Sequence, residues 1–175
     1  MRRPLIIRLA LVVLLSLVSG MGMCLCAQQR GVPVTVTACL QYQKVKSRDG
    51  DMSRLFRNYG MRPMMFNDST RRLWGYHVRL DSAWTDKQPL YRVFQKHDIY
   101  SFAVIDGRQP NSSCQYVFWW KGYYRRFADD LKRMGFAMCN DKHHTNILRF
   151  SRDDIDVIVE FIIWDDIYVM QLSLK

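Results

Sequence analysis

Apolar and polar positions alternate along VPVTVTACLQYQKVK, residues 32–46. Val32, Val34, Val36, Ala38, Leu40 and Tyr42 fall on one side of an extended chain, and Thr35, Thr37, Gln41 and Gln43 on the other. That period of two predicts a half-buried strand. The pattern then changes. In RDGDMSRLFRNYGM, Asp51 or Ser53 can cap a short helix and Gly60 can end it in the left-handed conformation. Short strands are expected at 61–66 and 72–80, followed by the polar loop DSAWTDKQPL, which Pro89 closes. Residues 90–96 and 99–105 read as strands on either side of His97-Asp98, and DGRQPNSS gathers Gly, Pro, Asn and Ser into a loop.

The second half opens with a strand at 114–120. Tyr124 to Met134 then has a helical period, with Phe127, Leu131 and Met134 on one face and Gly135 as the stop. A strand at 136–139, the polar loop NDKHHT, and strands at 146–152, 155–164 and 167–174 complete the chain. In the last two, Val157, Val159, Phe161 and Ile163 share a face, as do Tyr168, Met170, Leu172 and Leu174.

Laid over each other, the halves correspond. Cys39 and Cys114, Lys46 and Lys121, Gly60 and Gly135, and Leu73 and Leu148 are all 75 residues apart, and HDIY at 97 answers DDIY at 165. Pseudo-repeats at about 32–105 and 114–175 are therefore expected, each a strand, a helix and a meander. The fold class that follows is α+β: a mainly antiparallel sheet with two helices on one face. At the level of fold this resembles the tandem-repeat architecture of beta-lactamase inhibitor proteins, although no motif of that family occurs in the chain. The resemblance implies architecture only.

The N-terminus changes the picture of where this domain works. MRRPLIIRLALVVLLSLVSGMGMCLCAQQ carries a positive start, an apolar stretch from Leu9 to Val18, and Leu25-Cys26-Ala27 before Gln28. This is the form of a signal peptide over residues 1–27, leaving a single domain at 28–175. An uncleaved N-terminal anchor or a lipidated Cys24 or Cys26 are the alternatives, and each also exports the chain to the periplasm or outer envelope. The leader holds three arginines and no acid, so the whole-chain charge of +10 becomes +7. An exported basic chain is not expected to meet nucleic acid, and the mature part is expected to have no membrane span. Basic residues dominate 28–80 and acidic residues 128–175, which reads as solvated surface or as mutual attraction within the fold.

Candidate chemistry is sparse. Asp153-Asp154 and Asp165-Asp166 lie between alternating runs, where turns belong, and Asp suits turns because it tolerates left-handed backbone. No metal or cofactor is expected. DDIDVIVE lacks the spacing and glycine of a calcium loop, and His143-His144 is a pair in a polar loop. No catalytic residue is assigned, because neither a nucleophile elbow nor a triad pattern occurs. In an oxidising compartment, one pair among Cys39, Cys114 and Cys139 could form a disulfide.

The unusual stretch is QYVFWWKGYYRRF, 115–127, in which seven of thirteen residues are aromatic. It reads as a large aromatic core, or as a surface on which Trp119, Tyr123 and Tyr124 stand beside Arg125 and Arg126. Trp84, in the loop at 81–90, is a second exposed aromatic candidate. The expected function is a non-enzymatic exported binding protein whose partner is an unknown protein or envelope glycan, inhibitor-like in the first case. An envelope hydrolase or glycan-binding protein, and a structural subunit of an envelope assembly, are the alternatives.

Overall fold

A computed structural model describes residues 34–46, 53–66, 68–140 and 145–175. The expected leader, the Asp51 cap and His143-His144 lie outside the described residues. Three α-helices, α1 (Val36–Lys46), α2 (Ser53–Asn58) and α3 (Lys121–Arg133), accompany ten strands. The strands are β1 (Arg62–Met64), β2 (Arg71–Tyr76), β3 (Val78–Leu80), β4 (Phe94–Lys96), β5 (Phe102–Gly107), β6 (Cys114–Phe118), β7 (Ala137–Asn140), β8 (Ile147–Ser151), β9 (Val157–Trp164) and β10 (Ile167–Leu174). Eight of them form one sheet in the order β1-β2-β5-β6-β10-β9-β8-β7, and β3 pairs β4 separately. Every pairing is antiparallel. The fold is thus mostly antiparallel sheet with a few helices. No helix among the described residues is long and apolar enough to cross a membrane.

Alternation along the strands sorts the core into two clusters. Trp74, Phe102, Val104, Tyr116, Phe118, Phe150, Phe161 and Met170 join the helices' Leu40, Tyr42, Phe56, Tyr123, Phe127 and Leu131 in one. Their strand neighbours Leu73, Ala103, Ile105, Val117 and Val169 face the other way, under Val93 and Phe94 and a rim that includes Leu80 and Trp84. The helices cover one face. On the other, the β3–β4 hairpin and the 81–93 segment cover the part built from β2, β5, β6 and β10.

The expected strand at 32–46 is a correction: Val36–Lys46 is helical. Thr35 caps it, accepting at Oγ1 from the Ala38 amide at 3.2 Å. The alternating pattern also contains Val36, Leu40 and Gln43, and Cys39, Tyr42 and Lys46, at helical spacings, so period alone did not decide. A buried charge did. Asp106 is 0 % exposed on β5. Its carboxylate accepts from the Tyr42 hydroxyl at 2.6 Å and the Lys46 ammonium at 2.7 Å. Tyr42 and Lys46 are four apart, so one helix face delivers both to the same carboxylate. Arg72, across the β2–β5 register from Asp106, adds a bond of 2.9 Å from Nη2. The buried Gln43 amide donates to the Ser112 carbonyl at 3.1 Å, tying α1 to the β5–β6 turn as well.

Helix ends and turns fall where glycine and Asp place them. Gly60 has φ 75° and Gly135 φ 81°. Their amides bond Arg57 O and Lys132 O at 2.9 Å in each case, and the following Met61 and Phe136 amides bond Phe56 O and Leu131 O at 3.0 Å in each. These are the same closing bonds at the same 75-residue offset. The halves differ elsewhere. The first begins with helix α1 where the second begins with strand β6, and β2 pairs β5 directly while β9 stands between β8 and β10. The expected strand 72–80 is broken at His77, whose φ of 52° turns the chain off the sheet into β3. Leu90–Val93, expected as strand, is a 3-10 turn set by Pro89, with Arg92 N–H bonding Pro89 O at 3.0 Å.

Replacing Asp106 by Ala leaves the Lys46 ammonium buried without its partner. The expected loss is about 3–5 kcal/mol of unfolding free energy. Arg72→Ala, at a partly exposed position, is expected to cost only about 1 kcal/mol. Urea unfolding of both variants checks the order, and equal losses would show that Asp106 is not the centre of the cluster.

Candidate functional site

The residues singled out in the aromatic stretch do not form one surface. On β6, Tyr116 and Phe118 turn to the helix side and are 0 % exposed, while Trp119 is 7 % exposed in the opposite cluster. Tyr123 is 1 % exposed and meets Phe118 at 6.0 Å between ring centroids. Tyr124 is half-buried, stacked on Tyr168 at 5.6 Å and edge-on to Phe161 at 5.2 Å. Burial pushes the Tyr123 hydroxyl up to about 12 and raises that of Tyr124. Arg125 and Arg126 are exposed on α3. Trp119 and Tyr123 therefore lie on opposite sides of the sheet, and the two arginines stand without either beside them on the surface.

The acid pairs of the final meander occupy turns. Asp165 has φ 53° in the two-residue β9–β10 turn. Arg92 approaches its carboxylate at 3.9 Å, and Lys96 bonds that of Asp166. The Arg92 guanidinium also lies 5.3 Å over the Trp164 ring. Basic first-half residues and acidic second-half residues thus meet at this corner. Asp154 sits in the β8–β9 turn, where the hydrogen bond from Arg152 lowers its pKa. A general acid needs a shift in the other direction. Among the described residues, no group of three or more His, Cys, Asp or Glu side chains is placed to hold a metal ion.

All three described cysteines are free thiols, Cys39 and Cys114 buried and Cys139 exposed. Burial raises the Cys39 pKa well above the ordinary thiol value and pushes Cys114 up to about 12. Neither is a thiolate near neutral pH, so neither has the form of an activated nucleophile.

Trp84 is in a different setting. It lines an open cleft of ≈ 980 Å³. Three loops build this cleft: the turn before β2, with Asp68 and Thr70, leading into Arg71 of β2; the 81–91 segment, with Trp84, Asp86, Gln88 and Tyr91; and the β5–β6 turn, with Gln109 and Ser112. Ile105 and Gln115 of the sheet form part of its lining. The indole is held in place. Its Nε1 donates to Pro89 O at 3.4 Å, its backbone amide bonds Asp81 O at 3.2 Å, and Phe66 meets the ring edge-on at 5.7 Å. Asp68 is locked against its own turn. Thr70 donates to it from the hydroxyl at 2.6 Å and the amide at 2.7 Å, and these bonds, the hydroxyl foremost, lower its pKa. The Gln115 amide donates to Gln171 at 2.7 Å.

Of the residues proposed from sequence, the cleft takes Trp84 alone. Phe66, Tyr91, Gln109 and Gln115 were missed. The signal available for Gln109 was that 81–90 and 106–113 are polar loops, but nothing local says that these loops lie side by side. Comparison with protein-family models, with curated proteins and with solved structures finds no match to the chain.

Alkylation of the native protein is expected to modify Cys139 and spare Cys39 and Cys114, which react only after unfolding. Mass spectrometry of labelled peptides checks this. If Cys39 and Cys114 resist labelling even in denaturant until a reductant is added, they are bridged rather than free.

Proposed function

We propose that the chain is an exported, non-enzymatic binding protein of the periplasm or outer envelope, and that its ligand, a protein segment or an envelope glycan, sits in the Trp84 cleft. The observation that carries this reading is the cleft itself: a pinned, partly exposed indole among polar side chains from three separate loops. A volume of ≈ 980 Å³ falls at the upper end of the roughly 300–1,000 Å³ common for small-ligand sites. Export is supported by the charge and apolar pattern of residues 1–27. The lowered pKa of Asp68 and its hydrogen bonds to Thr70 support a binding role over a proton-transfer role for that carboxylate.

We further infer that the chain arose by duplication of a unit of about 70 residues. The matching helix-closing bonds at Gly60 and Gly135, the pairing of β1 with β2 and of β7 with β8 just after them, and the sequence offset of 75 support it. In this reading the first copy lost its sheet strand between β2 and β5, and the β3–β4 hairpin that replaced it became the roof beside the cleft.

The test is capture of partners from envelope extract by the immobilised mature chain. Trp84→Ala is expected to reduce capture at least tenfold while the protein still unfolds cooperatively, and Arg125→Ala to leave capture unchanged. Capture lost with Arg125→Ala and kept with Trp84→Ala would move the site to α3. Export is read separately, as a mature N-terminus at Gln28 in the periplasmic fraction.

A further inference from the structure

We propose that the Trp84 cleft takes a neutral, polyhydroxylated ligand: a short glycan segment, with one sugar ring laid against the indole. This rests on the reading that the cleft is the binding site, and it narrows the ligand by the chemistry of the lining.

The first consideration is charge. The chain is basic, at +10 over its full length. The cleft is not. Its charged side chains are Asp68, Asp86 and Arg71, so carboxylates outnumber the cation. Arg71 is moreover drawn towards Asp68, at 3.6 Å. An anionic polymer approaching this cleft meets like charge where it must lose water, which is unfavourable. Lys46 and Arg72 are paired with Asp106, Lys96 with Asp166 and Arg149 with Glu160, and the exposed Lys87 and Arg108 of the cleft loops are not among its lining residues.

The second is the form of the polar groups. Gln88 and Gln109 present exposed amides that donate and accept, while Ser112, whose hydroxyl donates to Gln109 O at 2.6 Å, and Gln115, whose amide donates to Gln171 at 2.7 Å, serve chiefly as acceptors. A sugar hydroxyl also does both, so such groups satisfy it in pairs. The third is the ring. Trp84 carries its N–H on Pro89 O, so what it offers a ligand is a flat apolar face rather than a donor. The C–H face of a pyranose is the apolar surface of a sugar and matches that plane. A ring already fixed by Phe66 and by its own loop loses little conformational entropy on binding.

A peptide fits less well. The cleft offers little sheet edge for main-chain pairing, since β5 and β6 are paired on both sides and β2 lacks its β1 partner only at Arg71 and Arg72. Most of its lining is polar rather than an apolar anchor pocket.

The experiment uses the intact mature chain on an array of neutral oligosaccharides, uronate-bearing and sulfated oligosaccharides, and the protein fraction of an envelope extract. Positives are quantified by quenching of tryptophan emission. At least one neutral oligosaccharide is expected to bind, with affinity at least tenfold above its charged counterpart. Trp84→Ala should lower that affinity at least tenfold, and Gln88→Ala and Gln109→Ala, both at exposed loop positions, by about threefold or more. These two variants keep the test valid if Trp84→Ala disturbs its loop. No binding to any neutral oligosaccharide, or a preference for the charged ones, overturns the glycan proposal. If the protein fraction alone is retained, and is lost with Trp84→Ala, the glycan proposal fails while the cleft stands. If every ligand found is indifferent to all three substitutions, both fall.

Discussion

The buried carboxylate of Asp106 is the constraint on which the arrangement depends. A charge with no access to water needs opposite charge and hydrogen bonds within reach, or its burial is strongly unfavourable. Here Tyr42 and Lys46 come from α1 and Arg72 from β2, and all converge on one side chain of β5. Lys46 and Gln43 also reach the carbonyls of Ser113 and Ser112 in the following turn. The cluster therefore fixes three things together: the helical state of 36–46, its position over the sheet, and the conformation of the β5–β6 turn. That turn supplies one wall of the cleft. A core feature that is not itself part of the cleft lining thus positions Gln109 and Ser112.

The second structural decision is made at the left-handed His77. In the second half, the chain continues after β8 into β9 and stays in the sheet. In the first, it leaves the sheet after Tyr76, returns over the face opposite the helices, and packs Val93 and Phe94 against Ala103, Ile105 and Val117. The excursion closes at the acid turn, where Arg92 and Lys96 meet Asp165 and Asp166. Its outer part, 81–91, overhangs the sheet and makes the cleft with it. The asymmetry between the halves is what produces a concavity.

Much of this was legible in the chain. Strand alternation correctly placed Val157, Val159 and Phe161 on the core face. Gly60 and Gly135 stood where helices end, and the acid pairs stood at bends, because Asp and Gly tolerate backbone that other residues resist. The aromatic stretch 115–127 stood out by composition, yet the fate of each ring was not readable. Trp119 is buried because 81–94 folds over it, and Tyr123 because α3 lies on Phe102 and Phe118. Both depend on partners far away in sequence. Exposure of Arg125 and Arg126 followed simply from the helical period.

By itself, then, the sequence determined the element types with strong local signals: helices ended by glycine, alternating strands, and turns made by Gly, Pro and Asp. These depend on backbone sterics and on side-chain period, which act within a few residues. Tertiary structure decided what local physics leaves degenerate. Residues 36–46 satisfy both a strand and a helix pattern, and only Asp106, 60 or more positions away, distinguishes them. The cleft was decided there too. Its walls come from loops whose polar composition says only that they are loops, and which meet because the sheet brings β2, β5 and β6 side by side beneath them.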